Sequence, residues 1–191
     1  MNLHAHPLRN SRRSGGFTLL ELLLVIAVIA ILASMAMPNY QRLMARRAVD
    51  QAALQLRDHI ELARTYAQAH QTKVEICPVT PDQLNAVSPA CNGNAQGWQA
   101  WVVKTAGGVI LARSQPLADG LTIDSGSRDR FVFNERGGAN GDNGSVLVQN
   151  STNQISKIIS IAADGRIQTA NSQSNSSLTL PKTIISPASG Q

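Results

Sequence analysis

The hydrophobic pattern begins with an almost uninterrupted apolar run from Phe17 to Met37, in which Glu21 is the single charged residue. As an α-helix this 21-residue run would be about 31 Å long, enough to cross the hydrocarbon core of a bilayer. Pro38 follows the run and is expected to kink the helix without ending it, because proline lacks a backbone N–H. The pattern therefore predicts the transmembrane part of a helix over residues 17–37.

Residues 38–70 change to a one-sided pattern. Charged side chains alternate with apolar ones, and the apolar positions recur at steps of three and four residues, which is typical of a helix with one buried face. We expect this amphipathic part to continue the first helix and to pack on a globular head through Val49, Ala53, Leu56, Ile60, Ala63 and Ala67.

Residues 71–170 contain short apolar runs separated by turn residues, a pattern that predicts a β-rich head. Gly107-Gly108 and Asp164-Gly165 each separate two apolar runs and predict hairpins, the second with a type I′ turn. Residues 171–191 are rich in Ser and Asn, although the alternation at Leu178 and Leu180 is compatible with one more strand. The fold class predicted is α+β, a long N-terminal helix packed on an antiparallel sheet with strands in VEICPV, WQAWVV, VILARS, LTID, RFVFN, SVLVQ, KIISIA and RIQT.

The formal net charge of +5 is concentrated near the N-terminus, where Arg9, Arg12 and Arg13 lie within the first sixteen residues. From Gln71 to Gln191 there are 9 Lys and Arg against 8 Asp and Glu. The head is therefore close to neutral, and its overall charge does not indicate a nucleic-acid-binding protein.

The segment GGFTLLELLLVIAVIAILASMAMP resembles the class III signal of type IV pilins and type II secretion pseudopilins. In that family a basic leader ends in Gly, the mature chain starts at Phe, and Glu is its fifth residue; these are Gly16, Phe17 and Glu21 here. The resemblance implies that a prepilin peptidase removes residues 1–16 and methylates the Phe17 amine. It also implies that Glu21 pairs with this amine on a neighbouring subunit.

The carboxylate of Glu21 needs an explanation on physical grounds, because a charge in an apolar helix costs about 3 kcal/mol on insertion scales. The Phe17 amine that cleavage creates on a neighbouring subunit would supply a partner. The alternative is that the Glu21 side chain extends to the lipid headgroups. A second alternative is an ordinary secretory signal, since Ser34-Met35-Ala36 is a small-x-small triplet whose cleavage would release a chain starting at Met37.

The location of the head follows from the resemblance, because flanking charges do not decide it: three Arg in the leader face Arg42, Arg46 and Arg47 beyond the apolar run. We expect a single-pass protein of the inner membrane with its head in the periplasm. In an exported head, the pair Cys77 and Cys91 favours a disulfide over two free thiols.

The head sequence, from VEICP through GWQAWVV and RFVFNERG to ISIAADGRIQ, resembles the GspH/FimT/FimU group, and its early cysteine pair and GW segment resemble FimU-type minor pilins. The resemblance implies a minor pilin that helps initiate or cap a type IV pilus and that contacts other pilin subunits. Two alternatives are a minor pseudopilin of type II secretion and a FimT-type receptor for DNA uptake.

The DNA-uptake relatives carry a Gly-Arg-x-Arg element, and the matching stretch here is Gly165-Arg166-Ile167-Gln168. Arg166 is therefore the candidate DNA contact, but the second arginine is missing, and we do not expect the head to bind DNA. His59 and His70 are read as surface residues, and nothing in the sequence forms a catalytic constellation. We expect no enzymatic activity, no cofactor and no metal site.

Overall fold

The computed structural model describes residues 17–91, 96–126, 128–139 and 141–172, with the backbone alone at residues 35, 36, 38, 96 and 172. The leader of residues 1–16 and the possible strand at Leu178–Leu180 lie outside these ranges. The chain divides into two compact units, one ending at Gln41 and the other beginning at Arg42.

A single α-helix, α1 (Leu19–His70), runs through 52 residues and confirms the predicted continuous helix. It ends where Gln71 adopts a φ of 47° and the Thr72 N–H donates to the Ala67 carbonyl at 3.2 Å. This is the 6→1 hydrogen bond of a Schellman motif, made with a left-handed residue that is not glycine. The first strand can therefore start four residues after the helix.

The described helical residues include no single straight segment that is long and apolar enough to cross a membrane. Leu19–Ser34 and Asn39–His70 meet that requirement by length and composition only when they are taken together. The division at 37/38 and the kink at Pro38 stay predictions.

The described residues of the second unit form nine strands in two sheets, and every strand pair among them is antiparallel, as predicted. One sheet has the order β4-β3-β1-β6 and the other β2-β5-β7-β8-β9. The strands are β1 (Val74–Val79), β2 (Gln96–Trp98), β3 (Ala100–Thr105), β4 (Ile110–Arg113), β5 (Leu121–Asp124), β6 (Phe131–Phe133), β7 (Gly144–Asn150), β8 (Ile155–Ile161) and β9 (Ile167–Ser172).

One hydrophobic core joins the helix to both sheets. The helix contributes the stripe that the sequence predicts, and none of its six members is more than 2% exposed. Three of the six are alanines, so the backbone of α1 can approach the sheets closely while larger side chains from the strands fill the space. The strand residues in this core include Ile76, Trp101 and Phe131 from the first sheet and Trp98, Ile123 and Ile159 from the second.

The prediction of one strand in WQAWVV is wrong. Trp98 ends β2 and Trp101 belongs to β3, so the run is divided between the two sheets at Gln99. Both indole rings lie in the shared core. In one continuous strand, residues three apart point to opposite faces, so burying both tryptophans on the same side requires the break.

The type I′ turn predicted at Asp164-Gly165 is also wrong, although β8 and β9 do form a hairpin. A type I′ turn needs positive φ at both central residues, and here Gly165 has a φ of 79° while Asp164 is not in that region. The Gly165 N–H donates to the Ala162 carbonyl at 2.8 Å, and the Ala162 N–H donates to the Arg166 carbonyl at 2.9 Å. This is a type I turn followed by a left-handed glycine.

Gly165 lies where this hairpin turn meets helix α1 and the loop at Gly137. A Cβ added to Gly165 would overlap the Gly137 carbonyl oxygen and would lie 3.0 Å from Nε of Arg64. Gly108, in the β3–β4 hairpin, has a similar φ of 84° but nothing within 4 Å of the added atom. Both glycines have a positive φ, but only Gly165 has neighbouring atoms where a Cβ would lie.

We therefore predict that Gly165→Ala lowers the free energy of unfolding by about 3 kcal/mol, since left-handed strain and overpacking cost roughly 1–3 kcal/mol each. Gly108→Ala, the matched control, should lose only about 1 kcal/mol from its backbone strain. Chemical denaturation of the detergent-solubilised protein measures both. Equal losses in the two variants would show that the junction at Gly165 is not closely packed.

Candidate assembly and processing site

The start of helix α1 is built around Thr18. Its Oγ1 accepts a hydrogen bond from the Glu21 N–H at 3.2 Å, and its carbonyl accepts one from the Leu22 N–H at 3.2 Å. Thr18 is thus the N-cap, and Thr18-x-x-Glu21 has the spacing of a capping box. The Thr-x-x-Glu pattern was visible in the sequence, but sequence reasoning assigned Glu21 to assembly and overlooked the cap.

Glu21 lies in the first turn of the helix. Unpaired N–H groups and the aligned peptide dipoles make this end of a helix favourable for a carboxylate. Across the described ranges, Glu21 takes part in none of the ion pairs. The Thr18 cap therefore fixes the backbone of Glu21, while its carboxylate remains available to a cation from outside this chain.

The segment around Glu21 exposes a large apolar surface within its own unit. Phe17 is 81% exposed and Leu19 and Leu20 are 76% exposed, and the large apolar side chains from Leu22 to Leu32 are at least 45% exposed. A contiguous apolar surface of this size marks a site for membrane or for another protein. Of the predicted processing residues, Phe17 is at its edge and Gly16 lies outside the described residues.

In the head, Cys77 and Cys91 form the predicted disulfide, with Cα atoms 5.5 Å apart. The bond joins β1 to the loop that follows it, and Cys77 packs in a small second core with Val79, Leu84 and Val102. Closing a loop of this length stabilises a fold by roughly 3 kcal/mol in the chain-entropy model.

Two basic side chains fasten this disulfide-closed loop (residues 77–91) to the neighbouring strands. Arg113 of β4 donates to the carbonyls of Leu84 and, at 3.0 Å, Ala86. Lys104 of β3 donates to the Pro89 carbonyl at 3.4 Å. Sequence reasoning missed Arg113, because a bond to a loop carbonyl leaves no signature in side-chain spacing.

Glu75 organises the charges beside the disulfide. Its carboxylate lies 3.3 Å from Nζ of Lys104 and 3.2 Å from Nη1 of Arg130. Glu75, Cys77 and Cys91 are close enough together to hold a cation, but the two sulfur atoms are bonded to each other and cannot act as thiolate ligands. Glu75 therefore connects β1 to Lys104 of β3 and to Arg130 through ion pairs.

Arg166, the candidate DNA contact, does not form one basic patch with Lys104 and Lys157. Lys104 lies in the first sheet, beside Glu75, while Lys157 lies in the second and pairs with Asp50 at 2.7 Å. Arg166 is exposed on the β8–β9 hairpin, with its Nε 3.9 Å from Asp164. Each of these cations has a carboxylate neighbour, which weakens its attraction for phosphate.

The expectation that His59 is a surface residue is wrong. His59 is half-buried, and its Nδ1 accepts a hydrogen bond from Trp101 Nε1 at 3.0 Å. This bond ties helix α1 to β3. His70 is exposed, as expected, and stacks on Tyr66 with ring centroids 4.0 Å apart.

Two known protein families match parts of the chain. The family described as type II transport protein GspH matches residues 52–165, which is more than half of the chain, and the prokaryotic N-terminal methylation motif matches residues 11–37. The second match includes Gly16, Phe17 and Glu21.

Among individual proteins, the type IV major pilin protein PilE of Neisseria gonorrhoeae is 25% identical over 81% of this chain and 88% of its own length. The type IV major pilin protein PilE1 of the same organism is 35% identical over 56% of this chain and 45% of its own length. A crystal structure of the Pseudomonas aeruginosa type IV minor pilin FimU is similar with a TM-score of 0.50 and 17% identity, covering 68% of this chain and 90% of that one. At this identity the FimU likeness shows the fold alone.

The burial of His59 makes stability depend on pH. Burial lowers the pKa of His59 below its ordinary value, and the nearby Asp58 carboxylate offsets part of this effect. Below about pH 6.5 the unfolded chain binds a proton that the folded protein does not. The stabilisation is therefore complete above that pH and is lost as the pH falls.

We predict that the free energy of unfolding decreases between pH 7.5 and 5, and that His59→Gln, which keeps an acceptor but does not titrate, flattens this dependence. His70→Gln is the matched control, because His70 is exposed, and it should keep the wild-type slope. Denaturant unfolding of the detergent-solubilised chain at several pH values measures the three slopes. A slope in His59→Gln equal to that of the wild type would rule out His59 as its source.

Proposed function

Because the chain belongs to the GspH family of type IV pilins and pseudopilins, we propose that it is a minor pilin that helps initiate or cap a type IV pilus. The observation that carries the proposal is the start of α1, where Thr18 caps the helix at the Glu21 backbone N–H within an uncovered apolar surface. Members of this family are structural subunits of filaments, and the proposed role is likewise structural rather than enzymatic.

The assembly step of the proposal concerns the two charges at the N-terminus. Cleavage after Gly16 by a prepilin peptidase would leave a new amine on Phe17, four residues before Glu21, and the enzyme would then methylate it. An amine and a carboxylate that both lie in an apolar layer are each costly unless they are paired. We propose that Glu21 of an incoming subunit binds the Phe17 amine of its neighbour and so sets the axial position of each subunit.

The location of the protein follows from the same segment. We propose that residues 17–37 anchor it by a single pass in the inner membrane, with Pro38 at the exit and the head of residues 71–170 in the periplasm. The Cys77–Cys91 bond supports this placement, since structural disulfides form in oxidising compartments. The amphipathic part over 38–70 would then connect the anchor to the head.

A second candidate is a minor pseudopilin of a type II secretion system. The matching family is described as a type II transport protein, which favours this candidate. The pilin relatives favour the pilus. A clean deletion separates the two: loss of surface pili with normal secretion supports the pilus, while loss of secreted enzymes with normal pili supports the secretion system.

We predict that Glu21→Ala still inserts into the membrane but enters filaments at least about tenfold less, because the neighbour's amine would be left without a partner. Glu61→Ala is the matched control: Glu61 is an exposed carboxylate on the same helix, and among the described residues its ion-pair partner is Arg57, at 3.1 Å. Immunoblots of sheared filaments and of membrane fractions measure the two pools in a strain that lacks the chromosomal copy.

The control variant should enter filaments as well as the wild type does. If Glu21→Ala reached wild-type abundance in the sheared fraction, Glu21 would have no part in assembly and the proposed pairing would be withdrawn.

A further inference from the structure

The edge strands of the two sheets differ in length and in what covers them. The edge strand β4 is held to the disulfide-closed loop by Arg113, and the edge strands β2 and β6 are three residues long. The edge strand β9 has six residues, and in the described part of the chain it pairs only with β8. Natural proteins shorten, cover or charge an edge strand, because its free N–H and C=O groups can pair with another chain.

None of these protections is present within β9 itself. Its sequence, Ile167-Gln168-Thr169-Ala170-Asn171-Ser172, contains no charge and no proline. The side chains from Gln168 to Asn171 are all exposed. The strand is therefore long enough and regular enough to accept a further strand on its free side.

The chain itself continues with a suitable strand. Five polar residues, 173–177, follow β9, and then Leu178-Thr179-Leu180 alternate between apolar and polar. A connection of about five residues is within the range of β-hairpin loops. Pro181 and Lys182 come next, and proline and lysine are the residues that stop further pairing at an exposed edge.

The helix offers apolar surface on the same side. β8 lies along α1, since Lys157 pairs with Asp50 at 2.7 Å near one end and Arg64 lies beside Gly165 at the other. Leu54 is one helical turn after Asp50 on that flank and remains 54% exposed. A strand added beyond β9 could place a leucine over this surface.

We propose that the free edge of β9 is a strand-docking site and that its occupant is the segment Leu178–Leu180 of the same chain, paired antiparallel. The short tether favours this occupant over a second copy, because it gives an effective concentration in the millimolar range. Pro181 and Lys182 then terminate the sheet. In this arrangement the head has no long open edge, and subunits meet through surfaces other than strand pairing.

Hydrogen exchange resolved to single residues tests the proposal on the full chain in detergent. The β9 amides that point away from β8 should exchange at least about tenfold faster in a chain truncated after Ser177 and in Thr179→Pro, which cannot donate at the centre of the docked segment. Ser189→Pro is the matched control and should exchange like the wild type. The amides of β7 report whether each variant keeps the folded head.

Two results would overturn the proposal. In the first, the β9 amides exchange equally fast in the full and truncated chains while β7 stays protected. In the second, protection of β9 in the full chain decreases on dilution, which would assign the edge to a second copy of the protein.

Discussion

Burial of one face of α1 is the interaction on which the head depends. The six stripe residues of the helix lie in a single core with side chains from both sheets. In the described part of the chain no strand of one sheet pairs with a strand of the other, so the shared core holds the two sheets together. Each fully buried Leu, Ile or Val contributes about 1.5–3 kcal/mol, and the alanines between them let the strands come close. Trp98 and Trp101 lie in this core from different sheets.

The same helix meets a second constraint nearer its start. From Phe17 to Leu32 its large apolar side chains are exposed within their own unit, so that part is suited to an apolar environment supplied from outside the chain. Glu21 is the exception in this surface, and the Thr18 cap holds it in the first helical turn. The first turns of the helix therefore supply an apolar anchor and a carboxylate. The later turns pack in the core of the head, which the Cys77–Cys91 bond stabilises.

The sequence predicted those features that follow from periodicity. Every member of the helical stripe is buried, and the turns at Gly107-Gly108 and Asp164-Gly165 do join antiparallel strands. Local pattern failed where partners are far apart in the chain. The break at Gln99, the bond between His59 and Trp101 and the Arg113 contacts with loop carbonyls all depend on residues brought together by the fold. The Asp164-Gly165 pair fits two turn types, so the sequence alone does not decide between them. The close contact between Gly165 and the Gly137 carbonyl depends on the fold and has no signal in the sequence.

Pairing of Glu21 with a neighbouring subunit requires that the mature chain begin at Phe17, because only then does a charged amine lie four residues before Glu21. The most direct measurement is the intact mass and N-terminal sequence of the protein extracted from membranes. We expect a chain of 175 residues, the 191 residues without the first sixteen, starting at an N-methylated Phe17. A soluble chain starting at Met37 would contradict it, because the apolar segment and Glu21 would then have been removed as an ordinary signal peptide.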